Sequence, residues 1–71
     1  MEVPPPAQFA VVKFSDGWRV LAQGKRLARL YNYRVDAEEA ALKLAVAAQQ
    51  AGAHPAVLVQ EPSGELRRLT M

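Results

Sequence analysis

His54 is the single histidine of the chain, and cysteine is absent. One imidazole cannot assemble a multi-histidine metal site, and without thiolates there is no cysteine nucleophile and no disulfide. His54 precedes Pro55 beside the expected end of a helix, which suits a surface loop residue. Ser15 and Ser63 fall in turn-forming stretches, where serine is common for backbone reasons, and neither sits in a nucleophile-elbow context. Asp36, Glu38 and Glu39 cluster, but the first turn of a helix draws carboxylates through its dipole. Gly17, Gly24, Gly52 and Gly64 are separate turn punctuation and build no phosphate-binding loop. The chain is therefore expected not to be an enzyme, with no catalytic residue, no metal and no cofactor.

Charge is the remaining chemistry. Between residues 8 and 34, Lys13, Arg19, Lys25, Arg26, Arg29 and Arg34 stand against Asp16 alone. Between residues 35 and 66, Lys43 stands against Asp36, Glu38, Glu39, Glu61 and Glu65. The strand region is basic and the helix region acidic, within a net charge of only +2. One use of that asymmetry is a nucleic-acid contact through Lys13, Arg19, Lys25, Arg26 and Arg29, with Phe9, Tyr31 or Tyr33 nearby. The plainer use is solubility, since Lys and Arg on water-facing strands block edge-to-edge pairing. A dimer that sets one subunit's basic region against the other's acidic helix would exploit the same division.

These residues must be carried by a small scaffold. With 71 residues the chain fits one domain, and a domain of this size buries only about 60% of its unfolded surface. Lacking disulfides, it is expected to gain stability by oligomerisation. The opening Met-Glu-Val-Pro-Pro-Pro is neither basic nor apolar, so no signal peptide is read there. No apolar run approaches the roughly 20 residues of a membrane span. A cytoplasmic protein is the expectation. Residues 1 to 7 read as an extended proline-rich arm and residues 8 to 71 as the domain.

Gln8 to Phe14 and Trp18 to Ala22 read as strands of a hairpin around Ser15-Asp16-Gly17. A three-residue loop with Gly17 left-handed pairs Phe14 with Trp18, Val12 with Val20 and Ala10 with Ala22, which gathers one apolar surface. Gly24 marks a turn, and residues 26 to 31 are a candidate third strand. Asp36 is the expected N-cap, with Glu39 completing a capping box, for a helix over about 37 to 51 that stops at Gly52. A second hairpin spans residues 56 to 69 around Glu61-Pro62-Ser63-Gly64, whose proline and glycine suit a type I turn. Its register is open: one choice pairs Val57 with Leu69 and sets Glu61 against Glu65, the other pairs Leu58 with Leu69.

Ala37, Ala40, Ala41, Leu44, Ala45, Ala48 and Ala51 share one broad side of the helix, the expected core face. Leu42 and Val46 lie nearly opposite Leu44 and form a second apolar ridge. Phe9, Val11 and Leu21 fall at outward strand positions in the chosen register. Leu42, Val46, Phe9, Val11 and Leu21 are thus the candidate self-association residues, and a two-fold homodimer is the default assembly.

The order of a hairpin ending in Asp16-Gly17-Trp18 with Val20, then Asp36-Ala-Glu-Glu-Ala-Ala41, then Val57-Leu-Val59 and Gly64, resembles the small bacterial domain of unknown function 2188. The resemblance spans roughly residues 9 to 69. It departs from that pattern in the longer stretch between residues 23 and 34, and in Asp36 where a threonine is more usual. It implies a compact β-β-α-β-β fold and carries over no activity, site residue or cofactor. The sequence thus predicts an α+β domain: an antiparallel sheet of four or five strands with one helix on a face. The expected function is a small non-enzymatic interaction module that self-associates, its partner unnamed, with nucleic-acid binding as the alternative.

Overall fold

The structure, a computed structural model, describes residues 6 to 69. Five strands and one helix follow in the order β1 (Pro6–Phe14), β2 (Gly17–Ala22), β3 (Lys25–Arg26), α1 (Arg34–Gln50), β4 (His54–Gln60) and β5 (Leu66–Leu69). The strands form a single sheet in the spatial order β3-β2-β1-β4-β5. The α+β class and the lone helix match expectation, but the sheet is mixed rather than antiparallel. β4 runs parallel to β1, with Phe9 beside Val57 and Val11 beside Val59. The crossover through α1 accounts for this, because a helix laid on one face returns the chain to its starting end. β1 is the centre of the sheet and begins at Pro6, so two residues expected in the arm belong to the sheet. Proline is tolerated at the first position of a strand. Residues 1 to 5 of the expected arm lie outside the described residues.

The first hairpin corrects the expected register. Phe14 pairs with Gly17, Lys13 with Trp18, Val11 with Val20 and Phe9 with Ala22, leaving Ser15 and Asp16 as the turn. The side of β1 facing the helix is therefore Ala7, Phe9 and Val11, and the row Ala10, Val12 and Phe14 faces away. Both rows are apolar, so β1 alone does not choose between them. β4 does, by bringing Val57 and Val59 beside Phe9 and Val11. The next turn, Gln23-Gly24, has both residues at positive φ (54° and 80°), the backbone that a tight two-residue hairpin requires. The side chain of Gln23 is engaged there, its Oε1 accepting from the Gln8 N–H at 3.2 Å.

A third strand is present but displaced from the candidate stretch: β3 is Lys25–Arg26, so of residues 26 to 31 only Arg26 lies in it, and Tyr31 makes an isolated bridge. Leu27 N–H still donates to the Val20 carbonyl at 2.9 Å, after which residues 28 to 30 bulge out before Tyr31 pairs again with Trp18. The second hairpin takes the register that pairs Val57 with Leu69. Its like-charge drawback is relieved locally: Arg67 Nε lies 2.7 Å from a Glu61 carboxylate oxygen. Gly64 N–H donates to the Glu61 carbonyl at 2.8 Å, closing the expected turn.

The helix begins three residues earlier than expected. Tyr33 is its N-cap, with no side-chain cap, and Asp36 lies within the first turn instead of capping it. Its carboxylate is still on the favourable side of the helix dipole. The C-terminus ends as expected in a left-handed Gly52, with Gly52 N–H donating to the Gln49 carbonyl and Ala53 N–H to the Ala48 carbonyl. That paired pattern is the Schellman stop.

The core lies between α1 and one face of the sheet. Ala37, Ala41 and Ala45 are fully buried against Val11, Val20, Val57 and Val59, with Ala7 and Phe9 at the margin. Small side chains on the helix allow its backbone to approach the β-branched layer closely. Burial of each valine contributes about 1.5 to 3 kcal/mol. Three members of the expected helix faces move. Leu44, expected in the core, is 38% exposed at the flank, and Ala51 is exposed. Leu42, expected on an outer ridge, is half-buried and packs against the core.

Candidate binding surface

Two sets of residues were expected to form surfaces, and the fold divides both. Phe9 and Val11 are buried beneath α1, since the true register turns their row inward, so neither is available for self-association. Leu21 remains on the sheet face away from the helix, and Val46 is 47% exposed on the outer side of α1. These two point in opposite directions from the sheet. Lys13 and Lys25 occupy the helix-side row of their strands, being paired with Trp18 and Ala22. Arg29 sits in the bulge, its guanidinium 5.2 Å from the centre of the Tyr31 ring. Arg19 and Arg26 alone of the five cations project from the uncovered face.

Arg19 is already engaged there. Its Nη2 donates to Asp16 at 2.9 Å and its Nη1 to the Ala28 carbonyl at 3.1 Å. The hydrogen bond from Arg19 is the main cause that holds the Asp16 carboxyl below its usual pKa of 3.8. Arg26 is exposed and stacks over Phe14, 5.6 Å from the ring centre.

The strand pairings place Arg26, Leu21, Ala10, Leu58 and Arg68 in one row across all five strands. At about 4.8 Å per strand, the two end arginines are anchored about 19 Å apart. Between them Leu21, Ala10 and Leu58 are half-buried, with Val12 adjoining, and Leu66 on β5 is 51% exposed. Among the described residues, no strand position on this face is a carboxylate, and neither Arg26 nor Arg68 makes an ion pair. Arg68 and Leu58 were not among the surface residues expected from the sequence, and Val12 was expected in the hairpin's apolar surface with Val20. The alternation Ala56, Leu58, Gln60 followed by Leu66, Arg68 held the signal, but it could be used only once the hairpin register was known.

The grooves elsewhere converge no catalytic set. One of about 480 Å³ is lined by His54, Arg68 and Gln49 among others, and among the described residues its lining brings no hydroxyl or carboxylate side chain beside the imidazole. Another, of about 610 Å³, lies between the bulge and α1 and mixes Arg29, Asp36, Glu39 and Lys43. Ser63 serves its turn, its Oγ accepting from the Glu65 N–H at 3.5 Å. Among the described residues no group of three His, Asp or Glu side chains is placed to hold a metal ion, and no helix is long and apolar enough to cross a membrane. In comparisons with known proteins, the chain has no significant match to a family model, a curated protein or a solved structure.

Proposed function

We propose that the chain is a small non-enzymatic interaction module whose working surface is the uncovered sheet face. The observation that carries this reading is the row Arg26–Leu21–Ala10–Leu58–Arg68, an apolar centre with a cation at each end and no carboxylate. Its arrangement is that of a docking site: apolar area for affinity, with charges at the margin to select and orient the partner. Nucleic-acid binding has less support, because Lys13, Lys25 and Arg29 lie off this face and Arg19 is bonded internally.

The test is a photo-crosslinking side chain introduced in place of Leu58, compared with one in place of Gln50 on the outer side of α1. In the cells that express the protein, position 58 is expected to yield a discrete adduct that disappears when Arg26 and Arg68 are both changed to Glu. Equal adducts from both positions, or none from position 58, would overturn the reading.

Self-association through α1 is a second reading, favoured by Val35 and Val46, which are 64% and 47% exposed on that helix. Sedimentation at micromolar concentration distinguishes it. A dimer that Val46→Glu dissociates, while Leu58→Glu does not, would establish it.

A further inference from the structure

The uncovered face also restricts the form of what it docks. β1 is central, and its run Phe9-Ala10-Val11-Val12 is apolar on both sides. Three of the four strand pairings in the sheet are antiparallel, but a continuous apolar run in a central strand is the pattern of a strand covered on both faces. Here α1 covers one face only. We infer that the second face is completed by an amphipathic α-helix from a partner protein, with carboxylates on both flanks of its apolar stripe. This inference rests on the docking role proposed above for the same face.

Dimensions agree. An α-helix is about 10 to 12 Å across, and the apolar part of the row covers three strands, about 10 Å between Leu21 and Leu58. A helix seated there has Arg26 on one side and Arg68 on the other, each within reach of a Glu side chain. Nine-residue β1 is about 30 Å long, close to the roughly 27 Å of an 18-residue helix.

Charge selects this occupant over two others. A second copy packed face to face would bring Arg26, Arg68 and Arg19 against the same residues, and the carboxylate beside them, Asp16, is already bonded to Arg19. The acidic surface of α1 lies on the opposite side of the sheet, so a closed two-fold pair cannot match it to this face. A single-stranded nucleic acid would want open aromatic platforms, but among the described residues Phe14 is the one aromatic strand residue on this face and Arg26 already lies over it.

The test uses the full chain and two synthetic peptides of about 18 residues with the same leucine stripe, one flanked by Glu and one by Lys. Binding is read by fluorescence anisotropy and peptide helicity by circular dichroism. The Glu-flanked peptide should bind at least about tenfold more tightly, a difference of about 1.4 kcal/mol, and should gain helicity on binding. Leu58→Glu should abolish binding, and Arg26→Glu with Arg68→Glu should reverse the preference toward the Lys-flanked peptide. Equal binding of both peptides, or binding indifferent to Arg26 and Arg68, would overturn the inference. So would binding of a single-stranded oligonucleotide that depends on these two arginines, or a homodimer that Leu58→Glu dissociates. Failure of both peptides would overturn the helical partner alone, because the crosslinking from position 58 decides independently whether the face docks anything.

Discussion

Trp18 and Tyr31 exchange both of their backbone hydrogen bonds, each 2.8 Å long, across the outer edge of β2. The contact resumes the pairing that β3 leaves off after Arg26, so the bulge at residues 28 to 30 is fastened at both ends. It also sets the Tyr31 carbonyl against Gly17, where a Cβ would lie 2.7 Å from that oxygen.

Gly17→Ala is therefore expected to destabilise the domain by about 1 to 3 kcal/mol, through backbone strain at φ +143° and displacement of Tyr31. Gly24→Ala should cost less, because that position has open space around it. Urea denaturation of the two variants gives the comparison. Equal losses would contradict the close approach of Tyr31.

Neighbouring residues of β4 should respond in opposite ways. Val57 is fully buried under α1, so Val57→Asp is expected to cost several kcal/mol and unfold so small a domain. Leu58→Glu lies on the uncovered face and should leave the far-ultraviolet circular dichroism spectrum unchanged, with a loss of about 1 kcal/mol or less. A folded Val57→Asp beside an unfolded Leu58→Glu would reverse the assignment of the two faces.

The alanine face of α1 should resist enlargement. Ala41 has no exposed surface against the valine layer, and Ala41→Leu is expected to cost about 1 to 3 kcal/mol by forcing helix and sheet apart. Ala47→Leu, at an exposed position of the same helix, should be close to neutral. Thermal melting of the pair measures the difference.

Asp16 should make stability depend on pH in a defined direction. Its folded pKa is depressed, chiefly by the hydrogen bond from Arg19. The contribution is thus present above the unfolded value and lost as pH falls through the folded one. Asp16→Asn should be less stable than the parent at pH 7, and the gap should narrow below about pH 4. Urea midpoints at pH 7 and pH 3 check this, and a constant gap would mean the Arg19 contact contributes nothing.

Much of the local structure was legible in the sequence because its causes are local. Gly52 dictates the end of α1, Gly64 and Pro62 the second turn, and the spacing of Ala37, Ala41 and Ala45 the face the helix buries. The start of α1 was misread because Asp36 and Glu39 fit a capping box that the backbone does not use. Leu44 and Leu42 exchanged roles because the helix lies on the sheet along its narrow alanine strip, which leaves Leu44 at the flank and draws Leu42 partly in.

Tertiary structure alone decided which side of β1 meets α1. Phe9 and Val11 alternate with Ala10 and Val12, so a period-two pattern has no preferred phase in that strand. The choice is made by β4, whose Val57 and Val59 arrive nearly fifty residues later in parallel alignment. A parallel pair leaves no turn between its strands to record the register. The same pairing assembled Arg26, Leu21, Ala10, Leu58 and Arg68 into one row. The sequence by itself determined the small two-layer domain and its basic strands. Its candidate surface exists only because four strand registers bring distant residues onto the face that α1 leaves open.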